Sequence, residues 1–137
     1  MMGGKKILIV DDDRLVAKTI DMCLSKRGYQ VKVLHNGAAA VKYLFEEKPD
    51  LMILDIRLPD CDGWFIMGLL EKLEAAQKVQ VIVISALEPD RHKVSEAKPY
   101  AYVQKPFDMG QLIQIAERSL KTGDKANHTI VGPPGTQ

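Results

Sequence analysis

The runs Ile7-Leu8-Ile9-Val10 and Leu51-Met52-Ile53-Leu54 have the length of a strand, are apolar throughout, and end directly in aspartate, at Asp11-Asp12-Asp13 and at Asp55. Strands without a polar face belong to parallel sheets covered by helices on both sides. The segments that follow such runs have helical spacing. Arg14 to Arg27 places Leu15, Val16, Thr19, Ile20, Cys23 and Leu24 on one stripe, with Asp13 to cap the helix and Gly28 to end it. This alternation predicts βαβ units and an open α/β sheet.

The same pattern continues along the chain. Gln30 to His35 alternates in polarity, as an edge strand does, and Ala38 to Glu47 forms a helix with Val41, Leu44 and Phe45 inward, stopped by Pro49. Leu51 to Leu54 is the most apolar strand and is expected at the centre of the sheet. A helix from Trp64 to Ala76 buries Phe65, Leu69, Leu70 and Leu73. Val79 to Ile84 and Tyr100 to Val103 complete five strands, with a short helix near Arg91 to Ala97 between them. Lys98 is the last residue that helix can reach, because Pro99 lacks an amide hydrogen. Met109 to Lys121 is the final helix, turning Leu112, Ile113, Ala116 and Leu120 inward. From Thr122 to Gln137 the chain becomes rich in Gly, Pro and polar residues, as in a flexible tail or the start of a linker.

Composition narrows the class of function. At 137 residues the chain holds one domain with one core. Nineteen basic and 18 acidic side chains give a net charge of +1, which supplies no general attraction to nucleic acid or an anionic membrane. The apolar runs fall far short of the roughly 20 residues of a membrane span, and the amino terminus lacks the apolar core of a signal peptide. A cytoplasmic location is expected. Cys23 and Cys61 are too few for a disulfide framework and read as free thiols.

Strand ends carry the chemistry. In open α/β sheets ligands bind at the carboxyl ends of the strands, so Asp11, Asp12 and Asp55 can converge on one rim and hold a metal. Asp60 and Asp62 lie in the loop after Asp55, where shaping the turn before Gly63 accounts for them better than metal binding does.

Motifs spread along the chain resemble the receiver domain of two-component response regulators, including chemotaxis regulators. They are Ile7-Leu8-Ile9-Val10-Asp11-Asp12, Leu54-Asp55, Leu58-Pro59-Asp60-Cys61-Asp62-Gly63, Ile84-Ser85-Ala86 and Tyr102-Val103-Gln104-Lys105-Pro106-Phe107. The resemblance spans residues 5–121, leaves 122–137 as tail or linker, and implies a single doubly wound (βα)5 flavodoxin-like domain of sheet order 2-1-3-4-5. It also implies a function: phosphoacceptor in a bacterial two-component or phosphorelay system, switching partner binding and turning over no external substrate. The implied phosphoacceptor is Asp55. Asp12, Asp55 and the backbone carbonyl of Arg57 would ligate Mg2+, with Asp11 acting through water, an oxygen set that suits this hard cation. Lys105 would neutralise the site, following a strand and preceding a cis peptide to Pro106.

Ser85 and Tyr102 are the implied switch, the hydroxyl bonding the phosphoryl oxygen and the ring moving into the vacated space. Their plainer readings are a strand-end hydroxyl satisfying the backbone and a half-buried core aromatic. The implied partners are a histidine kinase or phosphotransfer protein and a downstream protein target or fused effector domain. A phosphorylation-dependent dimer is compatible with them, and neither nucleic acid nor membrane is. In this family the face of the fourth helix, fifth strand and fifth helix often serves dimers or targets. Here the stretch from Ser85 to Lys105 is shorter than usual, and Lys98-Pro99-Tyr100 replaces a common Gly-Ala pair. Arg57 and Leu87 stand where the family tunes dephosphorylation.

Two other classes fit the sheet. A phosphohydrolase with an aspartate nucleophile would want a second acid where Arg57 stands. A flavodoxin-like cofactor module would want a phosphate-cradling loop where Asp11-Asp12-Asp13 would repel phosphate. Trp64 can line the site or pack on a loop, and His35, His92 and His128 read as surface residues.

Overall fold

Six strands and five helices follow the apolar pattern in the computed structural model, which describes residues 4–73, 78–122 and 129–135. The strands are β1 (Lys6–Val10), β2 (Gln30–Leu34), β3 (Leu51–Asp55), β4 (Gln80–Ser85), β5 (Ala101–Gln104) and β6 (Thr129–Val131). The helices are α1 (Arg14–Lys26), α2 (Gly37–Glu46), α3 (Gly63–Lys72), α4 (Arg91–Ala97) and α5 (Met109–Thr122). All strand pairs are parallel, in the order β2-β1-β3-β4-β5-β6.

Period-two alternation divides the core into two layers. Ile7, Ile9, Ile53, Ile82 and Val103 face α1 and α5, packing on Ala17, Ile20, Leu24, Leu112 and Ala116. Leu8, Val10, Met52, Leu54 and Val83 face α2, α3 and α4, packing on Ala40, Leu44, Ile66, Leu70 and Val94. The central strand β3 is buried along its whole length, and each such aliphatic side chain contributes about 1.5–3 kcal/mol.

The sheet keeps the expected order 2-1-3-4-5 and adds a sixth strand at the β5 edge. Thr129–Val131, within the segment read as tail or linker, pairs with β5 in the register Ala101↔Thr129, Tyr102↔Ile130 and Val103↔Val131. Three β-branched residues are well suited to a pleated edge, but a run this short between polar and Pro/Gly-rich stretches gives no periodic signal. The rest of 122–137 beyond Thr122, apart from residues 129–135, lies outside the described residues.

Helix faces are rotated relative to some expectations. Leu15, Phe45 and Phe65 are 75%, 66% and 57% exposed, while Ala17, Ala40 and Ile66 are buried in their place. A helix against a sheet buries a narrow stripe, and small or branched residues let it approach more closely than a phenyl ring does. Leu112, Ile113, Ala116 and Leu120 are buried as expected. The Trp64–Ala76 expectation is met as Gly63–Lys72 with Leu73 as the closing residue, and residues 74–76 lie outside the described chain.

α4 is short for a local reason. Asp90 caps it by accepting from the amides of His92 and Lys93 at 3.1 and 3.2 Å, and Lys98 ends it in the left-handed region at φ 55°. Pro99 then prevents further winding.

Candidate functional site

Strand order places the site. The chain runs from β1 out to β2 and then returns past β1 to β3, so the carboxyl ends of β1 and β3 are neighbours at a reversal of winding, where crevices form in such sheets. Val10 lies beside Leu54 in the register, and Asp11 and Asp55 leave the same rim.

Asp11 is fully buried and Asp55 nearly so, whereas Asp12 is exposed. Carboxylate oxygens of the three lie within 4.8 Å of one another. Lys105 reaches them from the far end of β5, and its Nζ donates to Asp11 Oδ2 and Asp55 Oδ2, both at 2.9 Å. Its backbone amide donates to the Ser85 carbonyl at 2.7 Å, and the Lys105–Pro106 peptide is cis. The remaining oxygens are held as well. Arg57 N donates to Asp55 Oδ1 and Asp13 N to Asp11 Oδ1, each at 2.9 Å.

Charge follows from this geometry. Burial is the largest effect on Asp11 and raises its pKa; the neighbouring Asp55 charge adds to the rise, against the hydrogen bond from Lys105. For Lys105, burial disfavours the ammonium, but the hydrogen bonds and charges of Asp55 and Asp11 outweigh it and hold its pKa above the ordinary value. Three carboxylates meet one ammonium here, and the excess of hard, anionic oxygen is the donor chemistry Mg2+ selects. The residues present therefore fit that ion.

Around this centre the loops are pinned by their own acids. Asp62 caps α3 by accepting from Phe65 N at 2.9 Å, and Asp60 reaches across to α2, accepting from Gly37 N at 2.7 Å and Ala38 N at 2.8 Å. Those amide bonds lower the Asp60 pKa. Both acids thus shape the loop. Gly63 must be glycine, because a Cβ there would stand 2.9 Å from the Asp55 carbonyl oxygen. Burial, with the charges of Asp60 and Asp62, raises the pKa of the Cys61 thiol and leaves it poorly reactive.

Ser85 and Tyr102 meet through Leu87. Ser85 Oγ, fully buried, accepts from Leu87 N at 3.1 Å, and the Tyr102 hydroxyl donates to the Leu87 carbonyl at 2.8 Å. Tyr102 is 1% exposed, and its ring stacks on Trp64 with centroids 6.2 Å apart. Trp64 therefore packs on the aromatic at position 102. His35, expected at the surface, is half-buried, and its Nδ1 donates to the Asp11 carbonyl at 2.9 Å. Nothing in the sequence placed it there; only the β1–β2 register does. His92 is exposed, and His128 lies outside the described residues.

Similarity to known proteins agrees with this geometry. The chain is 29% identical over 132 residues to the regulatory protein VanRc of Enterococcus gallinarum, covering 95% of this chain and 56% of that protein; it thus spans little more than half of its relative. The receiver domain of the Francisella response regulator 1452 superposes with a TM-score of 0.79 at 25% identity, over 88% of this chain and all of that one. A CheY-like response regulator receiver domain from Methanospirillum hungatei gives 0.81 at 25% identity, over 88% and 97%. A model of the response regulator receiver domain matches residues 7–117, and the chain, with its parallel sheet and its acidic rim at β1 and β3, belongs to that family.

Proposed function

We propose that this domain accepts a phosphoryl group on Asp55 from a histidine kinase or a phosphotransfer protein, with Mg2+ bound at the same rim, and changes its affinity for a downstream target or fused effector. The observation that carries the reading is the pair of hydrogen bonds that Lys105 Nζ donates to Asp11 and Asp55, both at 2.9 Å, a cation fixed where phosphoryl charge would arrive. Phosphoryl transfer demands alignment and charge neutralisation more than covalent help.

An Asp55 carboxylate oxygen forms the new bond to phosphorus as the donor bond breaks. From phosphohistidine the P–N electron pair leaves with the imidazole, which takes up a proton; from acetyl phosphate the P–O pair leaves with acetate. Asp12, Asp55 and the Arg57 carbonyl would hold Mg2+, with Asp11 through water, and the ion supplies the neutralisation that lets an anionic donor approach a carboxylate. Lys105 binds a phosphoryl oxygen after transfer. Ser85 Oγ accepts a hydrogen bond from Leu87 N and its hydroxyl faces that of Tyr102, so it would turn its proton from the tyrosine oxygen to the phosphoryl oxygen after transfer. Water attacking phosphorus releases phosphate and restores Asp55.

Intact mass after incubation with acetyl phosphate tests the reading. One phosphoryl group should be added, only with Mg2+, and hydroxylamine should release it as an acyl phosphate. An adduct that forms equally well in chelator, or that resists hydroxylamine, would sink the assignment.

A donor surface adjoins the site. Leu15, 75% exposed, lines with Val16, Thr19, Phe107 and Met109 an apolar hollow of about 470 Å³ that also reaches Lys105. Exposed apolar surface beside a reactive group is what a docking helix covers. Leu15→Asp is expected to slow transfer from a phosphohistidine kinase on the order of tenfold, the loss of an anchor worth about 1.4 kcal/mol. Labelling by acetyl phosphate should not change, and equal slowing with both donors would count against this surface. Among the described residues no helix is long and apolar enough to cross a membrane; the kinase partner supports a cytoplasmic setting.

A further inference from the structure

β6 adds a connection to the site that the five expected strands do not contain. Its register sets Ile130 directly beside Tyr102 on the outer edge of β5, and parallel neighbours in register share a face of the sheet. Ile130 accordingly packs against the layer that contains Tyr102 and Val94, while Val131 packs against the opposite layer with Val103. The Tyr102 ring is thus closed in, with Trp64 stacked on it and Ile130 at its outer side.

From the ring a short chain of bonds leads to the acidic rim. Tyr102 donates to the Leu87 carbonyl at 2.8 Å, and Leu87 N donates to Ser85 Oγ at 3.1 Å. Ser85 ends β4 beside β3, where Ile84 pairs with Asp55. The first two links are hydrogen bonds, and the last is the adjacency of the β3 and β4 ends.

β6 is also short and lies at the edge of the sheet. It has three residues, Thr129 is exposed, and Ile130 and Val131 are only half-buried. The gain from two partly buried side chains is of the same order as the cost of ordering the backbone that carries them. Such a strand can dock and leave on its own, independently of the core.

We infer that Thr129–Val131 is a docking strand whose occupancy of the β5 edge and whose effect on Asp55 loading are reciprocal, transmitted through Tyr102, Leu87 and Ser85. This rests on the phosphoacceptor reading. Docked, Ile130 denies Tyr102 its outward path, the tyrosine hydroxyl holds the 85–87 turn, and Ser85 stays positioned to donate to a phosphoryl oxygen. Undocked, the outer side of Tyr102 opens and the turn loses that restraint. A ligand that favours one state of such a pair must strengthen the other by the same factor.

The test uses the full chain and two substitutions: Ile130→Glu, which places a charge in the packed position, and Thr129→Pro, which removes the amide donated to the Tyr100 carbonyl at 3.3 Å. Hydrogen exchange is read in β5, with β1 and β3 as the check on folding. Loading is read by titrating beryllofluoride with Mg2+ against the emission of Trp64, the sole tryptophan. Each substitution should speed β5 exchange at least about tenfold without altering β1 or β3, and should raise the beryllofluoride midpoint at least about fivefold. Should Ile130→Glu unfold the domain, Thr129→Pro gives the same reading alone. Unchanged β5 exchange in the folded variants would overturn the docked strand. Faster β5 exchange with an unmoved midpoint would overturn the coupling. No response of the parent chain to beryllofluoride would overturn the phosphoacceptor reading and the coupling with it, leaving the exchange result to stand by itself.

Discussion

Asp55→Asn is expected to abolish phosphoryl labelling by acetyl phosphate and Mg2+, a loss of more than ~10³-fold, as when a nucleophile is removed outright. The amide is nearly isosteric and can still accept from Arg57 N, which holds Asp55 Oδ1 at 2.9 Å in the parent. What it lacks is the carboxylate charge that would attack phosphorus in the proposed reaction. The fold should survive, because Lys105 keeps its bond to Asp11 and the β3 core is untouched. Intact mass and circular dichroism decide the matter together. A hydroxylamine-sensitive adduct that persists in the folded variant would move the acceptor to another carboxylate, with Asp11 and Asp12 the nearest.

Lys105→Met is expected to cost both chemistry and stability. Its ammonium sits between two carboxylates whose side chains are 0% and 6% exposed, while the lysine side chain is itself only 17% exposed. Removing one partner of a buried ion pair costs about 3–5 kcal/mol, because the other charge is left uncompensated. Asp11 would then stand buried beside Asp55 without its cation, and its pKa, already raised, would rise further. A carboxyl whose folded pKa exceeds its unfolded value binds protons more tightly when folded. Its stabilising contribution is therefore full below the unfolded pKa and is lost as pH rises through the folded one. The deficit of Lys105→Met should thus be small in acid, grow toward neutral pH, and shrink again when Mg2+ replaces the missing charge. Urea titrations in chelator and in Mg2+, at acid and neutral pH, measure this. A deficit that ignores both pH and metal would mean that lost packing, not charge, is responsible. Labelling by acetyl phosphate should fall about 10²–10³-fold in the same variant, the range for removing one charge-stabilising group.

Much of the site was legible because its signals are local. A buried strand that ends in aspartate announces a carboxylate at the sheet rim, and this holds at Val10-Asp11 and Leu54-Asp55 whatever the loops do. The caps were equally local where donor and acceptor are neighbours in sequence, as at Asp13 for α1. Asp60 marks the boundary of that logic. Its role in turn shape could be read from the Pro-Asp-Cys-Asp-Gly run, but not that its carboxylate caps α2, 23 residues away. His35 was misread for the same reason, since its bond to the Asp11 carbonyl exists only through the pairing of β1 with β2.

Helix faces show a second limit. Periodicity says that a helix has an apolar stripe, but several residues at its margin compete to point inward. Packing against the sheet chose Ile66 and Met67 over Phe65, and Ala40 and Leu44 over Phe45, since close approach favours compact side chains at the contact.

The amino-acid sequence by itself determined the βα alternation, the carboxylates at the ends of β1 and β3 and the lysine after β5, because each depends on residues adjacent along the chain. Only the tertiary structure decided that Lys105 bridges Asp11 and Asp55, that His35 and Asp60 serve neighbouring elements, and that Thr129–Val131 closes the β5 edge beside Tyr102. Those contacts join residues far apart in sequence. They form when strand order and register bring the elements together, and no local propensity encodes them.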